Sequence, residues 1–495
     1  MKRILLILTL CLAAIGAAAQ IPRPKLVVGV VVDQMRWDYL YYYYEDYGQG
    51  GIRRLLSEGF SCENTMITHL PTVTAIGHTG IYTGSVPYFH GIAGNGFMID
   101  GKPVSSCTDE TVRGVGTDGK AGKRSPRNLL ATTIGDELKH AFDFKNKVFG
   151  VAIKDRAAIL PAGHSADAAF WWDSEVGHFI TSTYYMDELP NWVVKFNRKY
   201  NTEPKFDLNN SNQGVTYTFR MAEAILENEK LGQGKYPDML TVSVSSTDAI
   251  GHTYSTRGRE NYEVYMQLDK ELAHFFQELD KRVGRGNYLL FLTADHGGAH
   301  NPNFMKEHKQ PAGGWDSGAA RRAMNSEIFN ECGVPNAIKA IYDYRIYLDY
   351  DKIDSVGADV EKIKEVALEV LKEDKDLVLA VDYEKVLQAS IPEFLRERII
   401  NGYCRGRSGD IFVMTQPGYL SYKVKEDYKG TSHSAWNPYD SHIPLVFMGW
   451  RIPHGETTVP TRMIDIAPTV CSMLHIQMPN ACVGEPIQIK VDKTY

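Results

Sequence analysis

The chain has 495 residues, 43% of them hydrophobic and 23% charged, and its 54 Lys and Arg stand against 60 Asp and Glu for a net charge of −6. That length and composition provide for a large core and exclude a mainly disordered chain. The acidic balance argues against a general nucleic-acid binder, which carries a basic surface.

Lys2 and Arg3 precede an apolar run over residues 4–15, and Ala17, Ala18 and Ala19 supply small residues ahead of Gln20. This pattern predicts a cleavable secretory signal peptide over residues 1–19, and hence a periplasmic or secreted protein. The alternative of a lipid anchor on Cys11 fits less well, because Cys11 sits inside the apolar run rather than at its end. Loss of Lys2 and Arg3 leaves 52 cations against 60 anions, a charge of −8. No other run approaches the ~18 apolar residues of a membrane span. Six cysteines remain: Cys62, Cys107, Cys332, Cys404, Cys471 and Cys482. None forms a C-x-x-C pair, so no zinc ribbon or redox motif is indicated. In an oxidising compartment up to three disulfides are open to them, and Cys471 and Cys482 are near enough in sequence to staple the C-terminal segment.

Apolar runs alternate with helical patterns, which predicts an α/β fold with a mostly parallel central sheet and helices on both faces. Residues 25–32 (KLVVGVVV) read as a buried strand, as do 147–153, 239–244, 288–293 and 443–448. Ser125-Pro126 reads as an N-cap and first helical residue of a helix running through Leu138. Amphipathic helices are expected over 261–279 and 360–372. The aromatic and Thr-rich stretch 170–185 reads as a hairpin. Residues 303–411 read as a cap-like insertion within one catalytic domain spanning 20–495. The Gly114–Lys120 stretch nearly spells a P-loop, but Ala121 stands where Ser or Thr is needed, so a flexible loop is expected. The Tyr41–Tyr44 run reads as helix-to-sheet packing.

Four places carry metal-ligand chemistry. Asp33 directly follows the first strand. Asp248 and His252 follow another, four residues apart and so on one side of a helical turn. Asp295 and His296 follow a third, ahead of two glycines. His433 lies in the loop before the last strand. Each alone has an ordinary explanation, such as a helix cap or a solvated loop histidine. Together, three of the four fall at the carboxyl edge of the inferred sheet, where α/β folds collect ligands. Mixed carboxylate and imidazole suits zinc better than magnesium. Six such ligands exceed the three protein ligands of a catalytic zinc and fit a pair of ions. Thr72 and Thr74 lie near the start of a helix that ends at about Gly84, where backbone N–H groups and the helix dipole favour anions.

This set resembles the alkaline phosphatase superfamily, and most closely its PafA-type periplasmic phosphate monoesterases. The resemblance rests on six ordered segments: VVVDQMRWDYL, LPTVTAIGHTGIYTGSVPYFHGIAGN, Lys154-Asp155-Arg156, STDAIGH, TADHGG and GTSHSAWNPYDSHIPLVFMG. It implies Thr74 as nucleophile. It further implies one zinc among Asp33, Thr74, Asp295 and His296 and a second among Asp248, His252 and His433, two Zn2+ in all. Asn95, Lys154 and Arg156 would bind phosphoryl oxygens. Lys154 and Arg156 lie two apart past a strand, which as strand residues would face them the same way, with Asp155 turned aside. Two cations suit a dianionic monoester better than a diester. Many members carry Gly after the last histidine where this chain has Ser434, and His442 is the fallback ligand.

The expected function is hydrolysis of small-molecule phosphate monoesters through a phosphothreonine on Thr74, with neither nucleic-acid partner nor membrane span. The alternatives are a phosphodiesterase or nucleotide pyrophosphatase on the same scaffold and, more distantly, a non-catalytic zinc- or phosphate-binding protein. A sulfatase would need Cys or Ser at position 74.

Overall fold

The apolar run Leu26–Val32 is buried on both faces, as a strand flanked by strands and covered by helices must be. In the computed structural model, which describes residues 21–489, this strand pairs in parallel with Asp238–Val244 on one side and Tyr288–Thr293 on the other. Val148–Ala152 and then Ala168–Asp173 extend the parallel block beyond Asp238–Val244. Outside this block the sheet is mixed. Leu445–Gly449 runs antiparallel to Tyr288–Thr293, and His178–Ser182 returns antiparallel beside Ala168–Asp173. With short edge strands the sheet reaches ten. The architecture is α/β with a large mixed central sheet, and the run at 443–448 supplies one of its antiparallel strands.

Register decides where the polar strand ends fall. Val32 stands opposite Val244, and Val31 opposite Thr293. The residues that leave the three strands therefore emerge together at one edge. Gly29 lets a helix lie close against the sheet, because a Cβ there would come within 2.6 Å of the Phe291 ring and also strike the Tyr82 hydroxyl. Tyr82 belongs to the helix Thr74–Thr83, every residue of which is buried.

The amphipathic helices form as Arg259–Leu279 and Val360–Lys372. The hairpin at 170–185 forms as two strands whose Phe170, Trp171, Phe179 and Ile180 are buried. The helix expected from Ser125 does not begin there. It runs over Ile134–Ala141, because Thr133 and Asp136 make a reciprocal capping box, while the Ser125 hydroxyl donates to Asp109 at 2.6 Å. The Gly114–Lys120 loop is held in place rather than free: Gly114–Val115 pairs with Thr181 and Ser182 at the sheet edge. In the tyrosine run, Tyr43 packs inside against Tyr39 and Tyr265, while Tyr42 is exposed under the Arg257 guanidinium.

A second, four-stranded antiparallel sheet orders as Ile338–Tyr342, Arg345–Leu348, Ile411–Thr415 and Leu377–Asp382. Helices Ser317–Cys332 and Val360–Lys372 cover it around Met324, Ile328, Ile346, Ile363 and Val413. This cluster also takes in Leu70 of the main domain. Helix Glu393–Gly402 grips the same segment: Leu70 N–H donates to the Arg398 carbonyl at 3.1 Å, and Asn401 donates to the Thr68 carbonyl at 2.7 Å. The segment leading into helix Thr74–Thr83 is thus pinned by the part of the chain that builds the second sheet. All six cysteines among the described residues are free thiols, so the Cys471–Cys482 staple is not formed. Residues 1–19, expected to be a signal peptide and including Cys11, lie outside the described residues.

Candidate active site

Three strand ends deliver three buried aspartates. Asp33 follows Val32 directly, and Asp295 follows Tyr288–Thr293 by two residues. Asp248 lies in the first turn of the helix Ser246–Tyr254 that opens after Asp238–Val244. His252, one turn on, brings Nε2 within 3.2 Å of Asp248 Oδ1. His433 Nε2 is 3.7 Å from the same oxygen. His296 Nε2 is 3.5 Å from Asp33 Oδ1 and 3.4 Å from Asp295 Oδ2. The His296 and His433 rings stack with centroids 3.6 Å apart, so the two groups of ligands adjoin. Ligand atoms of Asp248, His252 and His433 lie within 4.8 Å of one another, as do those of Asp33, Asp248 and His296. His442, the fallback, is elsewhere: it stacks on Trp37 and its Nε2 lies 2.9 Å from the Glu63 carbonyl.

The tautomers follow from what each ring's other nitrogen meets. Nδ1 faces a backbone carbonyl in all three: Thr431 for His252, Gly297 for His296 and Thr72 for His433, at 2.9, 2.9 and 2.7 Å. A carbonyl only accepts, so each Nδ1 carries the proton and each neutral ring turns a lone pair at Nε2 toward a carboxylate. Lone pair facing carboxylate is repulsive unless a cation stands between them. Asp33 Oδ1, Asp295 Oδ2 and His296 Nε2 are buried without a hydrogen-bond partner. Orphaned acceptors of mixed N and O type, with each imidazole oriented by a carbonyl, fit divalent zinc.

Electrostatics point the same way. Burial pushes the Asp33 carboxyl well up, and its neighbours Asp295 and Asp248 push it further. Burial also raises Asp248 and Asp295, but with no metal between them the adjacent imidazoles, His252 and His296 in turn, offset this in their protonated form, with Lys154 adding to the effect, and both fall below the usual carboxylate range. His433 is held well below its ordinary value by burial and by His296. The Lys154 ammonium lies 2.6 Å from both Asp33 Oδ2 and Asp248 Oδ2. With all three carboxylates ionised against one ammonium the buried space would carry a net charge of −2, which costs several kcal/mol for each uncompensated ion unless a cation joins them.

Thr74 opens its ten-residue helix, which Gly84 closes in the left-handed conformation at φ 63°. Two contacts tie its start to the cluster. His433 donates to the Thr72 carbonyl, and His78, one turn after Thr74, places Nδ1 2.9 Å from the Thr74 carbonyl and 3.2 Å from Asp295 Oδ2. Asn95 is brought alongside: its Oδ1 accepts from Ala75 N–H at 2.9 Å, which leaves its amide hydrogens free to donate. Arg156 is placed differently from the strand-based expectation. The chain turns helical at Asp155, so Lys154 is the N-cap and Arg156 sits in the first turn. Asp155 pairs with Arg124 at 2.6 Å, and Arg156 Nη1 lies 3.7 Å from Asp155. Lys154 meets the carboxylate cluster, while Arg156 keeps a buried, unpartnered Nε.

Two residues in the site escape the sequence reading. Gln34 donates from Nε2 to Asp248 Oδ1 at 2.6 Å, and its backbone N–H donates to Asp295 Oδ1 at 3.2 Å. It holds two carboxylates in position from a left-handed backbone, φ 63°. His78 had only its spacing of four from Thr74 to mark it. Ser434 adopts φ 93°, a backbone conformation that favours glycine.

Residues 27–440 match the family described as type I phosphodiesterase / nucleotide pyrophosphatase. The chain belongs to that family. It thereby falls within the alkaline phosphatase superfamily. Alkaline phosphatase PafA of Elizabethkingia meningoseptica is 44% identical, covering 94% of each chain. Alkaline phosphatase PhoV of Synechococcus elongatus is 43% identical over 94% of this chain and 93% of its own. A Myroides odoratus protein named calcium-transporting ATPase is 42% identical over 97% of each chain. Among the described residues no helix is long and apolar enough to cross a membrane. The crystal structure of wild-type PafA superposes with a TM-score of 0.90 at 44% identity, covering 94% of this chain and 98% of that one. A PafA variant substituted at one Thr, one Asn, one Lys and one Arg superposes equally well, at 43% identity.

Proposed function

We propose that this chain is an exported, zinc-dependent alkaline phosphatase that hydrolyses phosphate monoesters through a phosphothreonine on Thr74. The observation that carries this reading is the convergence of Asp33, Asp248, Asp295, His252, His296 and His433 around orphaned acceptor atoms, beside the start of the Thr74 helix. Export rests on the signal-peptide pattern of residues 1–19. The names of the 43–44% identical phosphatase relatives, and the residue types substituted in the PafA variant, support the monoester substrate and the roles given to Thr74, Asn95, Lys154 and Arg156.

Asp248, His252 and His433 would hold one zinc, and Asp33, Asp295 and His296, with Thr74 beside them, the other. Bound there, the pair supplies Lewis acidity that lowers the pKa of a coordinated hydroxyl and stabilises a departing oxygen. Thr74 Oγ1 gives its proton to water and attacks phosphorus in line, and water in turn protonates the departing alkoxide. A bond from phosphorus to Oγ1 forms as the bond to the leaving alcohol breaks. Water then attacks the phosphothreonine, releasing phosphate and restoring the hydroxyl. Asn95 donates to one equatorial oxygen from the position fixed by Ala75 N–H. Lys154 and Arg156 add positive charge where a dianion gains most from it. Gln34 and His78 keep carboxylates and helix start in register.

The family description is broader than monoesters, and a diesterase on this scaffold is the competing reading. Comparing kcat/KM for an aryl phosphate with that for its methyl diester decides between them. A strong preference for the monoester, by a factor of about 10^3 or more, is expected from an extra anionic charge meeting two cations. A preference for the diester would overturn the assignment.

A further inference from the structure

The inserted unit does more than cover the main domain. Its hairpin joins Ile338–Tyr342 to Arg345–Leu348 through Asp343 and Tyr344, both in the left-handed conformation at φ 46° and 69°, and Tyr342 faces Arg345 across the turn. Such a two-residue turn has a fixed hand and sets the direction in which Arg345 leaves the strand. Arg345 is fully buried, unusual for a guanidinium without a tight carboxylate partner. Its Nη2 lies 3.6 Å from Asp343, its Nε donates to the Tyr342 carbonyl at 3.3 Å, and its Nη1 donates to the Ala93 carbonyl of the main domain. The guanidinium leaves no room over the next residue: a Cβ on Gly94 would stand 2.5 Å from Nη2.

Ala93 and Gly94 lead directly into Asn95. A second arginine of the inserted unit holds the other end of that turn, since Arg407 Nη1 donates to the Gly91 carbonyl at 2.6 Å and to the Asn128 carbonyl at 2.7 Å. The 91–95 turn is therefore gripped from outside at both ends, while Asn95 Oδ1 is fixed from inside by Ala75 N–H. Burying a charge against a backbone carbonyl is expensive, and an apolar residue would fill the space at lower cost. What the fork provides is direction: a planar donor that fixes where the Ala93 peptide lies.

We propose that Arg345 is a positioning residue for Asn95, so that the inserted unit sets the geometry of a phosphoryl contact in the main domain. The proposal rests on the reading of Asn95 under "Proposed function". The same hairpin turn brings the Asp343 carboxyl near enough for the Arg345 and Arg156 guanidiniums to oppose the rise that burial imposes on it.

The test is a double-mutant cycle in the full-length, zinc-loaded enzyme with an aryl phosphate monoester. Arg345→Met should lower kcat/KM about 10- to 100-fold in the wild-type background, the range for one charge-assisted hydrogen bond. In an Asn95→Ala background the same change should cost less than about threefold, because the contact it positions is already gone. Arg345→Lys, which keeps the buried cation and one donor, should recover part of the activity. If Arg345→Met does not fold, Arg345→Lys carries the cycle, with a smaller loss that again disappears beside Asn95→Ala. Equal losses in both backgrounds, or no loss in wild type, would overturn the proposal. If Asn95→Ala alone leaves kcat/KM unchanged, the reading of Asn95 fails and the Arg345 proposal with it, a result distinct from failure of Arg345 alone.

Discussion

At the scale of single residues, the site works by leaving particular atoms unsatisfied. Three imidazoles present lone pairs at Nε2 because a carbonyl holds the proton on each Nδ1, and two carboxylate oxygens beside them have no donor. Thr74 adds a hydroxyl at the one helix start tied into this cluster through His78 and His433. Thr74→Ala removes the proposed nucleophile and none of the six side chains around it. Turnover of an aryl phosphate should fall by about 10^3-fold or more, with zinc content per chain unchanged by metal analysis. Persistence of the wild-type rate would exclude Thr74 as nucleophile. The aspartates and histidines were legible because each follows a strand or lies in a short ordered motif. Gln34 was not, because nothing in a lone glutamine after a strand says that it will bridge Asp248 and Asp295. Nor was the placement of Arg156 and Lys154: alternation holds only while the chain stays extended, and helix starts at Asp155.

At the scale of elements, the helix Thr74–Thr83 is set against the strand end that carries Asp295. Gly77 makes that approach possible. A Cβ at Gly77 would strike the Asp295 carbonyl and lie 2.7 Å from the Asp295 Cβ. Gly77→Ala should therefore push helix and ligand apart, lowering stability by about 1–3 kcal/mol, as overpacking typically does. Thermal melts of the zinc-free protein would read that loss, and a weakened zinc affinity measured against a chromogenic chelator would read the displacement of Asp295. An unchanged melting temperature and affinity would show that the helix can shift freely. Helices with a strong local signal were legible at this scale, Val360–Lys372 to the residue. The helix after Ser125 was misplaced because a Ser-Pro pair and a Thr-x-x-Asp box lie eight residues apart. Only tertiary contact shows that Ser125 is committed to Asp109.

At the scale of the whole molecule, parallel strands with aligned ends gather residues from positions 33 to 433 at one sheet edge, and a second sheet with its own core leans on the segments that carry Thr74 and Asn95. The parallel core was legible because strands buried on both faces read as unbroken apolar runs. The antiparallel course of Leu445–Gly449 was not, since a buried strand reads alike in either direction. Ligands drawn from such distant parts of the chain should couple metal binding to global stability. Removing zinc with a chelator should lower the melting temperature on the order of 10 °C, given about 4 kcal/mol for each site at a free ion concentration a thousand times its dissociation constant. Adding zinc back should restore it. A melting temperature indifferent to the chelator would mean that the cluster does not bind metal in the folded state.

The most direct measurement is anomalous diffraction at the zinc edge from crystals of the zinc-loaded protein soaked with vanadate. Two peaks are predicted, one among Asp248, His252 and His433 and one among Asp33, Asp295 and His296, with vanadate on the Thr74 oxygen. A single peak, or peaks remote from these six side chains, would contradict the account.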